Sequence, residues 1–164
     1  MLQHVLESAL RQTMNRLVRP VLNPAVPVPL QRRIVRQAYR SSTPPRGAKF
    51  ENITIGGVPA TRTTFGNDPR GAVLYLHGGG YIIGSSSTHR GITGHLAKTT
   101  GCAIVTPDYR LAPEFPFPAA LDDAEACWNG LLEAGLKPEQ LAVAGDSAGG
   151  GLSVALAMRL RDKG

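Results

Sequence analysis

A serine flanked by glycines, Gly145-Asp146-Ser147-Ala148-Gly149, stands between the apolar run Leu141-Ala142-Val143-Ala144 and an Ala/Leu-rich stretch from Leu152 to Arg161. The run has the length and composition of a buried parallel strand, and the stretch after it is built of helix formers. Ser147 is therefore expected on a sharp strand-to-helix turn. Such a turn strains the backbone of its central residue and packs two elements so closely that neighbouring side chains would collide, which accounts for glycine on both flanks. It also directs the N–H of Ala148 and the positive end of the helix towards one point. A Ser hydroxyl is a weak nucleophile until a base takes its proton, so the motif alone marks a candidate nucleophile and no more.

A second motif narrows the reading. Ala72-Val73-Leu74-Tyr75-Leu76 reads as a buried strand and runs directly into His77-Gly78-Gly79-Gly80-Tyr81. Three successive glycines let backbone N–H groups turn inward without Cβ clashes, which makes them candidate donors to an oxyanion. The plainer alternative is a flexible glycine turn after a strand. The two motifs together are more specific than either one.

His77-Gly78-Gly79-Gly80, the run Asp108-Tyr109-Arg110-Leu111-Ala112-Pro113-Glu114, the following Phe117-Pro118-Ala119-Ala120-Leu121-Asp122-Asp123, and Gly145-Asp146-Ser147-Ala148-Gly149-Gly150 resemble, in order and spacing, the hormone-sensitive lipase family of α/β-hydrolases, also called bacterial family IV carboxylesterases. The resemblance spans roughly residues 45 to 164. It implies an α/β-hydrolase fold, a mostly parallel sheet flanked by helices. It implies carboxylic ester hydrolysis without a metal or organic cofactor, on small-molecule esters of short to medium acyl chain. By it Ser147 is the nucleophile, Gly79, Gly80 and Ala148 supply the oxyanion-hole N–H groups, and His77 holds its loop rather than acting as base.

Five strands are legible, at residues 50–55, 60–65, 72–76, 103–107 and 141–145. The first two flank Gly56-Gly57 and alternate polar with apolar residues, so they predict an antiparallel hairpin at a sheet edge. The other three are apolar and separated by helical stretches, as parallel strands are. The Asp108–Glu114 run, followed by further prolines, predicts an ordered loop stiffened by a network among Asp108, Arg110 and Glu114. Asp122 and Asp123 are expected to open a helix and to complement its dipole. His89 and His95 fall where Ile92, Leu96 and Ala97 suggest a helix covering the sheet, and a lone His in such a place is ordinarily a surface or structural residue.

In this fold the triad follows the chain order Ser, acid, His. After Ser147 the chain holds one acidic residue, Asp162, and no His; its four histidines all lie upstream. The chain is thus expected to be truncated after the nucleophile helix and inactive alone. The resembled family also includes a receptor that binds a small molecule without hydrolysing it, so a binding role or a decayed fragment is the alternative. An apolar nucleophile strand without its outer neighbour is an aggregation template and predicts self-association through the unpaired sheet edge.

Residues 1–49 hold nine Lys/Arg against one acid, a net of +8, while the remaining 115 hold nine against eleven, a net of −2. The resemblance implies that this basic end forms a helical cap segment over residues 1–45, followed by the catalytic portion over 46–164. Leu2, Val5, Leu6, Ala9, Leu10, Met14, Leu17 and Val18 recur at helical spacing with Arg11, Arg16 and Arg19 around them, and Leu30, Ile34, Val35 and Ala38 predict a second short helix. The arginines lack a recognition motif for nucleic acid. No run is long enough to span a membrane, so no stable membrane insertion is expected. Cys102 and Cys127 lack metal or redox spacing and read as buried thiols of a cytoplasmic protein.

Overall fold

In the computed structural model, residues 7, 11, 12, 15, 16, 19–39 and 42–163 are described. The apolar positions expected to form the first N-terminal helix lie outside them. Five strands form one sheet: β1 (Ala48–Ile55), β2 (Val58–Phe65), β3 (Ala72–Leu76), β4 (Ala103–Pro107) and β5 (Leu141–Gly145), in the order β1-β2-β4-β3-β5. Among the described residues four helices of eleven residues or more accompany them: α1 (Val28–Ala38), α2 (Arg90–Thr100), α3 (Ala119–Glu133) and α4 (Ala148–Lys163).

The hairpin sits at the sheet edge as expected, each strand beginning two residues earlier than its pattern suggests. Ile55 pairs with Val58, and the turn residues Gly56 and Gly57 have φ of 56° and 77°. Two successive positive φ values match the right-handed twist of the strands and suit glycine. Gly56 has a second reason: a Cβ there would overlap the Ala126 carbonyl on α3. β2 runs antiparallel to β4, whereas β3 is parallel to both β4 and β5.

Alternation along the strands sends side chains to two layers. Leu74, Leu76 and Val105 join Leu121, Ala124, Cys127, Leu131, Leu152 and Leu156 of α3 and α4, while Tyr75 and Ile104 meet Ala97 of α2 on the opposite face. β4, between β2 and β3, is buried at every residue; β5 is partly or fully exposed throughout and is the sheet's other edge among the described residues.

Several expectations need correction. α2 buries Gly91, Thr93, Gly94 and Ala97, and Ile92 points to solvent at 42 % exposure. Small residues are required because the chain before β1 lies directly on the helix: a Cβ on Gly94 would stand 2.9 Å from Pro45 Cδ. α3 begins at Ala119, three residues before Asp122. Of the two thiols, Cys127 is buried and pushed up to about 12 by desolvation, but Cys102 is only half-buried. No helix among the described residues is long and apolar enough to cross a membrane.

Leu156 is fully buried between α4 and the sheet. Leu156→Ala should cost about 2–5 kcal/mol of unfolding free energy by urea titration, and Ile92→Ala should stay within about 0.5 kcal/mol.

Candidate active site

Ser147 occupies the turn between β5 and α4 and is exposed, with φ of 50°. A non-glycine residue in the left-handed region costs roughly 1–3 kcal/mol and persists only where its surroundings hold it. Here the carbonyl of Asp146 accepts from Gly149 N–H at 2.8 Å and that of Ser147 accepts from Gly151 N–H at 3.2 Å, so α4 starts immediately. The flanking glycines answer to space. A Cβ on Gly145 would approach the Gly149 backbone and the Leu76 carbonyl oxygen, and one on Gly149 would overlap that same oxygen.

The glycine loop leaves the end of β3 beside this turn. Gly79, Gly80 and Tyr81 have φ of 128°, 61° and 62°. The Gly79 carbonyl accepts from the N–H groups of Ile82 and Ile83, at 3.1 and 2.9 Å, which closes the loop into a turn. Gly79 is sterically obligatory because a Cβ would overlap the Ile83 carbonyl; Gly80 has open space and answers to its φ alone. The N–H groups of Gly79, Gly80 and Ala148 donate to no other group among the described residues, and nothing there hydrogen-bonds Ser147 Oγ. Three free amides and a free hydroxyl thus stand on two adjacent segments.

His77 is fully buried beneath the loop. Its Nδ1 lies 2.9 Å from the Gly78 carbonyl and therefore carries the proton, its ring stacks on Tyr109 at 4.2 Å between centroids, and its own carbonyl accepts from Tyr109 O–H at 2.5 Å. Desolvation pushes the imidazole down to about 4, so it is neutral at ordinary pH. This environment supports a holding role for His77.

The Asp108–Glu114 loop departs from expectation. Its charged residues do not pair with one another; each fastens the loop elsewhere. Asp108 accepts from Ser86 N–H at 2.7 Å and Ser86 O–H at 3.0 Å. Arg110 forms a bidentate pair with Asp123, Nη2 to Oδ1 at 2.7 Å and Nε to Oδ2 at 3.0 Å. Glu114 takes Arg32 of α1 at 2.7 and 2.9 Å, and the same guanidinium reaches the carbonyls of Ile82 and Ala112. Asp123 is therefore an anchor of the loop, and only Asp122 lies in the first turn of α3. Spacing along the chain could not show this, because Arg32 is 82 residues from Glu114.

His89 is a structural residue as expected, but sequence reasoning missed its contact with Asp146. It is buried at the end of a short 3₁₀ turn (Ser86–His89), with Nε2 3.3 Å from Asp146 Oδ1 and Nδ1 2.9 Å from Thr88 Oγ1. The Ser85–Thr88 capping pair that starts this turn is the local signal that could have placed it. His95 is exposed on α2. No group of His, Cys, Asp and Glu among the described residues could hold a metal ion.

A mixed sheet in which β4, β3 and β5 run parallel, a strained serine turn at the C-terminal end of one strand and a glycine loop at the end of its neighbour define a hydrolase-type scaffold. Residues 73–164 match the family model of the alpha/beta hydrolase fold, and the chain belongs to that family. It is similar to an acetyl-hydrolase of Streptomyces hygroscopicus, 43 % identical over 112 residues that cover 68 % of this chain and 38 % of the relative. It is also similar to an ethyl acetate hydrolase of Pseudomonas putida, 45 % identical over 93 residues covering 54 % and 29 %. A solved hormone-sensitive lipase from a metagenome library superposes with a TM-score of 0.89 at 34 % identity, over 98 % of this chain and 52 % of that one. The chain spans less than two fifths of the length of these two curated relatives and about half that of the solved structure. The resemblance to the hormone-sensitive lipase family is borne out.

Two predictions follow from this packing. Protonating His77 opposes folding, because its pKa is lower in the folded chain than the ordinary 6.5. Its contribution is complete above about pH 6.5 and is lost as pH falls towards 4, a loss on the order of 3 kcal/mol. Urea midpoints measured across that window should fall, and His77→Phe should flatten the part owed to this residue. Gly149→Ala would stabilise an ordinary helix by about 1 kcal/mol. Here it should instead lower the thermal midpoint, because the Leu76 backbone occupies the space.

Proposed function

We propose that this chain carries the nucleophile and the oxyanion hole of a carboxylic ester hydrolase. The observation that carries the reading is Ser147, held at positive φ with a free Oγ beside the free amides of Gly79, Gly80 and Ala148. In that reading Ser147 Oγ attacks the ester carbonyl, the C–O bond to the alcohol breaks, and the acyl group remains on Ser147 until water releases it. The three amides stabilise the negative oxygen of each tetrahedral intermediate, a contribution of about 2.7–4 kcal/mol per donor in comparable sites.

The substrate class is small esters of short to medium acyl chain. Support comes from relatives named for acetyl and ethyl acetate hydrolysis. Among the described residues nothing hydrogen-bonds Ser147 Oγ, so no base stands ready to take its proton. No His follows Ser147, His77 uses Nδ1 on Gly78 and buries Nε2, and His89 is engaged at both ring nitrogens. The 164-residue chain alone is accordingly expected to turn over esters slowly or not at all.

A fluorophosphonate probe followed by peptide mass mapping tests both halves. Slow modification confined to Ser147, absent from Ser147→Ala and accelerated by added imidazole as a surrogate base, is the expected result. Modification elsewhere with Ser147 untouched would remove the nucleophile assignment. Hydrolysis of p-nitrophenyl acetate at about 1 s⁻¹ or faster, a usual enzymatic rate, and lost in Ser147→Ala would overturn the expected inactivity.

A further inference from the structure

The β3–β5 ladder ends at Leu76 and Gly145. Beyond that pair one segment becomes the glycine loop and the other the serine turn, and the next cross-link between them is a side chain. Asp146 Oδ1 accepts from Gly78 N–H at 2.9 Å. Gly78 immediately precedes Gly79, and Asp146 immediately precedes Ser147, so this bond lies one residue from both reacting groups. We propose that Asp146 is a positioning residue that sets the register of the oxyanion loop against the nucleophile turn. The proposal rests on the assignment of Ser147, Gly79, Gly80 and Ala148 given above.

The carboxylate is held from three sides. Tyr75 O–H donates to the same Oδ1 at 2.9 Å from within β3, and His89 Nε2 stands 3.3 Å away. Burial and the neighbouring carboxylate push the Tyr75 phenol above its usual range, so it stays a donor. Gly78 is shaped to this arrangement, since a Cβ there would overlap Asp146 Oδ2. The glycine before the oxyanion donors thus makes room for the carboxylate.

Helix capping is the competing role for an Asp at this place. The bonds argue against it: Asp146 Oδ1 takes donors from the glycine loop and β3, while the first-turn amide of Gly149 goes to the Asp146 backbone carbonyl. Oxyanion donors act only within a few tenths of an ångström of their working position, and a displacement of about 1 Å can cost on the order of 100-fold in rate. With no ladder bond past Leu76 and Gly145, the Asp146–Gly78 bond is the nearest constraint on that distance.

The test is amide spectroscopy of the ¹⁵N-labelled 164-residue chain as wild type, Asp146→Ala and Asp146→Asn. Loss of a hydrogen bond to a charged group should make the Gly78 amide exchange about 10- to 100-fold faster in Asp146→Ala, and the Gly79 and Gly80 resonances should move or double. Asp146→Asn keeps an acceptor oxygen and should restore all three. Gly79 and Gly80 resonances that stay at wild-type positions in Asp146→Ala would overturn the proposal, as would Asn behaving like Ala. Should Asp146→Ala fail to fold, the wild type decides: Gly78 protected and Gly79 and Gly80 unprotected supports the role, and Gly78 exchanging as fast as its neighbours contradicts it. Failure of the probe to modify Ser147 would instead remove the hydrolase reading and leave these amide results standing.

Discussion

The Leu76 carbonyl oxygen marks where β3 stops and where the first turn of α4 lies against it, with no room for a Cβ on Gly149 and little for one on Gly145. Most of the site depends on that contact. It brings the end of β5 against the end of β3, and it fixes the direction in which α4 leaves the sheet. A larger residue at either glycine would lift the helix from the sheet and take Ser147 with it. The strained φ of Ser147 is thus maintained by packing behind it, by Leu152 and Leu156 buried further along α4, and by the helical bonds that begin at Gly149.

Around this contact the polar groups act mainly as fasteners. Tyr109 bonds the His77 carbonyl, Arg110 grips Asp123 on α3, and Arg32 joins α1 to Glu114 and to Ile82. Exposed ion pairs contribute little to stability one by one. Their geometric effect is larger, because each ties the 108–115 loop to a different element and the loop in turn holds the underside of the glycine turn. The basic N-terminal segment enters the site in the same way, with Arg32 using its charge on Glu114 and its Nε–H on the loop carbonyl at Ile82.

What was legible in the sequence had a local cause. Gly56-Gly57 announces a hairpin because only certain backbone conformations join two twisted strands. Gly145 and Gly149 announce a close crossing for a related reason, and the apolar runs of β3 and β4 follow from burial on both faces. The unread parts were set by partners distant in sequence. Asp108, Arg110 and Glu114 look like one network along the chain, yet their partners Ser86, Asp123 and Arg32 lie in three other elements. Ile92 looks like core by periodicity, but Pro44 and Pro45 lie so close to α2 that only small residues fit on its inner face. His89 gave no sign of reaching Asp146 because that approach depends on how the 86–89 turn docks on β2, through Thr61 and Ser86, and sets the His89 ring beside Tyr75.

The most direct test of the central claim is a crystal structure of the chain with a phosphonate bound to Ser147. The account predicts that one phosphonyl oxygen lies about 2.7–3.1 Å from the N–H nitrogens of Gly79, Gly80 and Ala148, with Ser147 still at positive φ. An adduct whose oxygens all point to solvent, or a Ser147 relaxed to negative φ with the glycine loop turned away, would contradict it.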